Sequence, residues 1–275
     1  QLLALGTLAL HTREAHKELL RSGASQFQVE AVLGLLTLAV GRLADFASSC
    51  VIWAPGGEFL CHTFSRWALP IMWDHCEGNP FSDTSGNYLG AIDWIARATT
   101  HTLEACSHAG TPNIFLRSAT SLESGGSYDA VVTDPPYYNA IGYSVLMDFF
   151  YIWHRRILHG ILSSEYRSEE SLAPKWNHEQ KDGELVDDSA RFGGDKTRSK
   201  NVYEDGMARA FRAASQALNE NGRMVVVFAH KEPEAWETLV AAIIQAGFVV
   251  DGSWPIMTER STRMRSIGSA ALSSS

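Results

Sequence analysis

The segment YDAVVTDPPYYNA, residues 128–140, restricts the fold and chemistry of this chain more than any other. An apolar run of the kind found in buried β-strands is followed at once by Asp134, Pro135, Pro136 and Tyr137. Two consecutive prolines have no backbone N–H to give to a sheet, so the strand must end there. At average residue usage this tetrapeptide occurs by chance in about one chain of this length in a thousand. The segment therefore predicts a strand that carries an acid and an aromatic ring at its carboxyl end.

Strand-like and helix-like segments alternate through the second half of the chain. Strands are predicted at 113–122, 128–134, 223–230 and 248–256, and helices at 144–158, 202–218 and 233–247. Continuous apolar runs such as residues 224–229 are typical of parallel strands that are covered on both faces. This alternation predicts an α/β fold with a mainly parallel sheet.

Residues 1–105 have a different character, and we expect a mostly helical and loop segment that precedes the sheet. Apolar residues recur at helical spacing up to about residue 50, and a further helix is predicted at 88–102, behind the capping sequence SDTSGN. Residues 106–275 are expected to carry the sheet, with an irregular polar insert at about 160–200. Because the chain begins at Gln1 inside a helical pattern, we expect it to be a portion of a longer protein.

Composition narrows the classes of protein to consider. The net charge of -8 and the pI of about 5.7 exclude a chain that is basic throughout, so nucleic-acid contacts would have to come from local patches. The four cysteines form no CxxC pair and the histidines have no ligand spacing, so we predict reduced thiols, a cytoplasmic location and no metal. The longest apolar stretch, 32–40, is short and interrupted by glycine, and no signal peptide is visible; a membrane is therefore not an expected partner.

The acid, proline, proline, tyrosine motif suits one kind of reaction. An exocyclic base amine, such as adenine N6 or cytosine N4, is a poor nucleophile because its lone pair is delocalised into the ring. The carboxylate of Asp134 and the backbone carbonyl of Pro135 could accept hydrogen bonds from its two hydrogens as positive charge develops. Pro136 keeps the loop stiff, and Tyr137 offers a flat face to a base rotated out of its duplex. We therefore predict that these four residues catalyse methyl transfer from S-adenosylmethionine to a base amine.

Four segments also carry a resemblance to a known family. They are DPPYY with the helix after it, WDHCEGNPF at 73–81, MVVVFAHKEPEAWETLVAAIIQAGF, and the tryptophan-proline segment that begins at 253. From about residue 50 onward the chain resembles the later part of large bacterial and archaeal adenine-specific DNA methylases, which have an N-terminal domain of unknown function and, in some members, a zinc ribbon. The resemblance implies a Rossmann-like methyltransferase domain that binds S-adenosylmethionine and DNA, with Asp134 to Tyr137 as its catalytic motif.

One feature departs from that family. The family's glycine-rich cofactor loop lies upstream of the DPPY segment, whereas APGGEF and ESGGSY in this chain lack the preceding strand and the spacing. We interpret both as ordinary turns, and no acidic residue for the cofactor ribose can be placed. We therefore expect a partial Rossmann-like sheet without the half that carries the cofactor loop. Such a stretch alone should bind the cofactor weakly or not at all.

Residues near the motif are further candidates. Ser118 and Ala119 precede the catalytic strand at the distance where related enzymes contact the cofactor. Together with Asp134 they are predicted to bind it, and an ordinary turn at the end of a strand is the alternative. Three residues that extend the motif are predicted to contact the base or the cofactor, with core packing as the alternative: Tyr138, Asn139 and Tyr143.

His230 and the basic side chains have two interpretations each. His230, at the end of a predicted strand, faces the pocket or forms structural hydrogen bonds. Basic residues of the insert and of the C-terminal segment clamp phosphates or are solvated surface charge. They are Lys175, Arg191, Lys196, Arg198, Lys200, Arg260, Arg263 and Arg265.

Several functions stay open from the sequence. Adenine N6 in duplex DNA is the preferred target, and cytosine N4 is a close alternative because the same four residues serve either amine. RNA adenine or a protein glutamine is less favoured, since those sites more often begin with Asn than with Asp. A non-catalytic nucleic-acid-binding fragment, without the cofactor loop, is the alternative from another class.

Overall fold

The computed structural model describes residues 1–64, 72–115, 117–122, 125–139, 142–162, 176–177, 182–230 and 232–256. Its helices and small sheets form a mixed α/β fold, which confirms the predicted class at that level. The chain divides into two compact units, residues 1–112 with 145–173, and residues 113–144 with 174–275. Each unit consists of two separate stretches of the chain, whereas the sequence predicts a single boundary after residue 105.

The first unit is mainly helical. It contains α1 (Leu2–Arg21), α2 (Gln26–Ala44), α3 (Tyr88–Ala105) and most of α4 (Tyr143–Leu158), with a short antiparallel pair of β1 (Trp53–Ala54) and β2 (Phe59–Leu60). Ser25 and Gln28 form a capping box at the start of α2. Asn87 caps α3 by accepting the N–H of Gly90, so the predicted helix and its predicted cap are both confirmed.

The core of the first unit forms where apolar faces of α1, α2 and α4 meet. Its buried side chains are Leu5, Leu8, Ala9, Val29, Leu33, Val40, Leu43, Ala44, Trp153, Ile157 and Leu158. Arg13 on α1 donates hydrogen bonds to carbonyl oxygens at the end of α4, which have no partner within their own helix. These contacts fix the carboxyl end of α4 within the unit.

Helix α2 is long and apolar enough to cross a membrane by length and composition alone. The helix extends well beyond the apolar stretch at 32–40 that is visible in the sequence, and 44% of its apolar segment is buried inside the structure. One such helix is weak evidence for a membrane span, because buried core helices have the same properties.

The second unit is built around two parallel strands, β3 (Tyr128–Thr133) and β6 (Leu218–Val226). Val132 lies opposite Val225, and Thr133 lies opposite Val226. The unit also contains a short antiparallel pair, β4 (Trp176–Asn177) and β5 (Asp182–Gly183), and the helices α5 (Lys196–Ala217) and α6 (Pro233–Gln245). Because β3 and β6 are parallel, their carboxyl ends reach the same edge of the sheet, and the motif follows β3 there.

Helices α5 and α6 pack together to form the core of the second unit. The buried residues Tyr203, Met207 and Phe211 recur every four residues on α5, and Met224 and Val226 of β6 pack against this cluster. On the opposite face of the sheet Val132 is 72% exposed and Val225 is 49% exposed. The prediction that both faces of the sheet are covered is therefore wrong for the described part of the chain.

Some of the remaining sequence predictions are confirmed by the structure and others are wrong. The helices predicted at 144–158 and 233–247 and the strand at 128–134 are confirmed. The strands predicted at 113–122 and 248–256 are wrong, because their described residues are irregular apart from a 3₁₀ turn at Ala119–Ser121. The insert predicted at 160–200 is shorter at its far end, where α5 begins at Lys196 behind the capping side chain of Asp195.

Candidate functional site

Asp134 leaves the sheet at the carboxyl end of β3. The N–H of Val227 donates to the carbonyl oxygen of Thr133 at 2.9 Å, so the pairing with the neighbouring strand continues up to the motif. The side chain of Asp134 is exposed and Pro135 behind it is buried. Asp134 therefore lies directly after the end of a strand in the structure, as the sequence predicts.

A buried hydroxyl on α5 holds the loop that follows. Tyr203 donates its O–H to the carbonyl oxygen of Pro136 at 2.7 Å and accepts the N–H of Tyr138 at 3.2 Å. Burial raises the pKa of Tyr203 to about 12, so the hydroxyl keeps its proton at neutral pH. The Pro136 carbonyl is therefore occupied, whereas that of Pro135 accepts no hydrogen bond from the described residues.

Tyr138 belongs to the core of the second unit. It is 8% exposed and packs edge-on against Tyr203, with ring centroids 5.3 Å apart. Its backbone has a positive φ of 53°, which is uncommon for an aromatic residue, and its carbonyl accepts the N–H of Asp187 at 3.1 Å. Burial, followed by the hydrogen bond to Asp187, raises the pKa of Tyr138 to about 12. For this residue the structure favours core packing over the predicted ligand contact.

Tyr137 interacts directly with the motif's acid. Its hydroxyl donates to Asp134 Oδ1 at 2.6 Å, and its ring packs edge-on against Phe228 with centroids 5.4 Å apart. Burial, then the hydrogen bond and charge of Asp134, raise the pKa of Tyr137 far above its ordinary value. The phenol therefore keeps its proton at neutral pH and donates it to Oδ1 of Asp134, while Oδ2 has no hydrogen-bond partner among the described residues.

An open cleft of about 740 Å³ lies beside the motif, entirely within the second unit. It brings together most of the predicted site residues, namely Ser118, Ala119, Asp134, Pro135, Pro136, Tyr137 and Tyr143. Tyr138 and Asn139 do not line it. The exposed Asn139 instead places its Oδ1 3.3 Å from Nε2 of His230.

His230 forms structural hydrogen bonds. The side chain is 8% exposed, and its Nδ1 accepts the N–H of Glu232 at 3.1 Å while Nε2 faces Asn139. Both ring nitrogens therefore have partners next to the loop. This geometry agrees with the structural alternative for the histidine.

Glu184 and Arg191 form an ion pair beside the cleft. Arg191 Nη2 lies 2.7 Å from Glu184 Oε2, and Ser144 donates to both carboxylate oxygens of Glu184. Burial alone would raise the pKa of Glu184, but the hydrogen bonds from Ser144 and Arg191 and the charge of Arg191 outweigh it and lower the pKa. Asp188 also lies 3.5 Å from Arg191 Nε. Arg191 is therefore a structural residue rather than a free phosphate clamp.

The other basic candidates divide between the surface and the undescribed segments. Lys196 and Arg198 are exposed near the start of α5, and Lys200 forms an i,i+4 pair with Glu204 at 3.7 Å. Four further candidates lie outside the described residues: Lys175, Arg260, Arg263 and Arg265.

Three residues of the site were missed by sequence reasoning. Tyr203, Glu184 and Arg209 all come from segments after the motif, and the cleft is lined by Glu184 and Arg209. The spacing of apolar residues on α5 marks Tyr203 as buried, but no sequence signal indicates which carbonyl it reaches. Nothing in the local sequence distinguishes Arg209 from an ordinary surface arginine.

Comparisons with protein-family models, with curated proteins and with solved structures gave no match to this chain. Among the described residues no group of three or more His, Cys, Asp or Glu side chains is arranged to hold a metal ion.

Proposed function

We propose that this chain carries the catalytic motif of an S-adenosylmethionine-dependent DNA methyltransferase with a Rossmann-like domain, acting on an exocyclic base amine and preferring adenine N6. One observation carries the proposal. The exposed side chain of Asp134 lies just after the carboxyl end of a parallel strand and lines an open cleft. Ligands bind beyond the carboxyl ends of the strands in α/β sheets.

The acceptors at this position match what a base amine needs. Asp134 Oδ2 and the Pro135 carbonyl oxygen have no hydrogen-bond partner among the described residues, and they belong to adjacent residues of a loop held by Tyr203. An amine with two hydrogens requires two such acceptors as its nitrogen gains positive charge. Acceptors that are already fixed stabilise the transition state without reorganising.

The size and lining of the cleft are compatible with the proposed cofactor. Small-molecule sites typically enclose roughly 300–1,000 Å³, and the volume of about 740 Å³ lies within that range. Ser118 and Ala119 line the cleft together with Asp134 and would hold the cofactor there. When bound, S-adenosylmethionine supplies an electrophilic methyl group on a sulfonium.

Tyr137 would position the target base. Its ring lines the cleft and is supported from the core by Phe228. Stacking of a flipped base on such a ring contributes roughly 1–3 kcal/mol. The hydrogen bond to Asp134 also fixes one carboxylate oxygen, which leaves the other to accept from the amine.

The proposal is tested with Asp134→Asn in the protein expressed from its full coding sequence. Transfer of a labelled methyl group from S-adenosylmethionine to duplex DNA is measured, and digestion to nucleosides identifies the product. We expect a loss of about 10²–10³-fold, the magnitude typical when one electrostatic stabiliser of a transition state is removed. The control is Asp129→Asn on β3, an exposed residue whose acceptor function towards Asn219 an amide retains.

Two results would contradict the proposal. If Asp134→Asn methylates at the parental rate, the assignment of the acid is wrong. If the parent transfers no methyl group to DNA or RNA under conditions in which it is folded, the catalytic function is wrong. Labelled N4-methylcytosine in place of N6-methyladenine would move the target to cytosine and leave the roles of the motif unchanged.

A further inference from the structure

Arg209 lines the cleft and has a guanidinium nitrogen without a hydrogen-bond partner. The side chain projects from α5, is half-buried and lines the same cleft as Asp134, Ser118 and Thr120. Its Nε is buried without a hydrogen-bond partner, and none of the described residues forms an ion pair with it. An arginine is always charged in proteins, so it cannot relieve this by losing its proton.

The other arginine near the cleft differs from Arg209 in its ion pairs. Arg191 has two carboxylates, Glu184 at 2.7 Å and Asp188 at 3.5 Å. These anions neutralise Arg191 and leave Arg209 without a counter-charge from the described part of the unit. Because a buried N–H of a charged group is costly when it has no hydrogen-bond partner, the contrast indicates that the partner of Arg209 is a ligand.

The chemistry of that ligand follows from the donors around it. A guanidinium presents a planar fork of N–H groups, which matches the two oxygens of a carboxylate or a phosphate. The hydroxyls of Ser118 and Thr120 lie 2.9 Å from each other; only one proton is used between them, which leaves a second donor for the cleft.

We propose that Arg209 is the oxyanion-binding residue of the cleft. The identity of the oxyanion rests on the proposed function: it is the amino-acid carboxylate of S-adenosylmethionine or a backbone phosphate of DNA. A carboxylate is planar and a phosphate is tetrahedral, but each can offer two oxygens to the N–H groups of the Arg209 guanidinium. Asp134, the motif's anion, lines the same cleft and is left for the amine.

Inorganic phosphate tests the oxyanion site without reference to any cofactor. Thermal unfolding is followed in phosphate and in chloride at equal ionic strength for the parent, Arg209→Gln, Arg209→Lys and Arg212→Gln. Arg212 is the matched control, since it lies on the same helix but is exposed and does not line the cleft. We expect phosphate to raise the unfolding midpoint of the parent and of Arg212→Gln by about 2–4 °C more than that of Arg209→Gln, with Arg209→Lys in between. Arg209→Gln should keep only the general stabilisation that phosphate gives to folded proteins.

The chloride arm shows whether Arg209→Gln is folded, and we expect it to be, because the change removes an unsatisfied charge. The inference is overturned if phosphate does not stabilise the parent, or if it stabilises Arg209→Gln equally. It is also overturned if Arg212→Gln loses the response, because the site would then lie on the surface.

Two further titrations identify the source of the oxyanion. S-adenosylhomocysteine is compared with 5′-methylthioadenosine, which lacks the carboxylate, and a DNA oligonucleotide is titrated separately. A tenfold loss of S-adenosylhomocysteine affinity in Arg209→Gln, with methylthioadenosine unaffected, assigns the carboxylate; a loss confined to DNA assigns the phosphate. If the parent responds to phosphate through Arg209 but binds neither ligand, the oxyanion site stands and the proposed function fails.

Discussion

The hydroxyl of Tyr203 lies 2.7 Å from the carbonyl oxygen of Pro136, and the two residues are 67 positions apart in the chain. The hydroxyl oxygen of Tyr203 in turn accepts the N–H of Tyr138, which lies beyond the loop's second proline. One buried side chain therefore serves as donor and acceptor for a loop that carries an exposed acid. These two hydrogen bonds, together with the two prolines, therefore fix the shape of the loop.

Replacing Tyr203 with Phe should destabilise the protein and misplace the motif. The ring still fills its site, but the carbonyl of Pro136 loses its side-chain donor, and the expected loss in the free energy of unfolding is about 1–3 kcal/mol. Urea unfolding measures it, with Tyr128→Phe, an exposed ring on β3, as the control. Methyl transfer by the proposed activity should fall through kcat with KM nearly unchanged. Equal stability of the two variants would contradict the role of Tyr203.

Alkaline pH should destabilise the fold through the buried phenols. The pKa values of Tyr138 and Tyr203 are raised to about 12, whereas an unfolded tyrosine titrates near 10. Their stabilising contribution is complete below about pH 10 and is lost as the pH rises towards 12, because the unfolded chain releases its protons first. Unfolding in urea from about pH 9 to 11 should show this decline.

The variant Tyr203→Phe provides the check on that decline. Its slope of stability against pH should be shallower than the parent's by up to about 1.4 kcal/mol per pH unit, because one titrating group is gone. Tyr128→Phe should keep the parental slope. Identical slopes in all three proteins would exclude Tyr203 as a source of the alkaline loss.

The sequence predicts the parts of the fold that are governed by local pattern. Helices α3, α4 and α6 have long periodic faces, and each lies close to its predicted bounds; α3 also has a capping residue and α6 a leading proline. The strand before Asp134 is confirmed for a similar reason, because an apolar run that ends in two prolines has few alternatives.

Elements that depend on distant partners could not be predicted in the same way. The runs at 113–122 and 248–256 have strand-like composition, yet Ile114 and Val249 are each 88% exposed in irregular backbone. A strand requires a neighbouring strand, and no local signal says whether one is present. The partners of Pro136 and of Glu184 were missed because hydrogen bonds between residues that are far apart in the sequence produce no periodic pattern.

Breaking the ion pair of Glu184 with Arg191 should cost far more than breaking an exposed pair. The two side chains are 13% and 8% exposed, and Glu184→Gln removes the carboxylate that lies 2.7 Å from the buried guanidinium of Arg191. A loss of about 3–5 kcal/mol in unfolding free energy is expected. In the matched pair of Arg97 with Asp93, both side chains are more than half exposed, and Asp93→Asn should cost less than about 1 kcal/mol.

Acid titration provides a second readout of the same pair. The pKa of Glu184 is lowered in the folded protein, so its contribution to stability is present above the unfolded carboxyl pKa and is lost as the pH falls through the folded value. The parent should therefore lose stability below about pH 4.5 more steeply than Glu184→Gln. Parallel acid limbs for the two proteins would show that the carboxylate is not coupled to Arg191.

The contributions of the Tyr137 ring and of its hydroxyl can be measured separately. Tyr137→Phe keeps the contact with Phe228 and loses only an exposed hydrogen bond to Asp134, so the free energy of unfolding should change by less than about 1 kcal/mol. Tyr137→Ala removes the stacking surface and should weaken binding of DNA with a flipped base by roughly 1–3 kcal/mol, about 5- to 150-fold. Fluorescence of 2-aminopurine at the target position measures the stacking directly, and Tyr128→Ala is the control on β3. If the Phe and Ala variants quench the probe equally, the ring of Tyr137 is not the surface on which the base stacks.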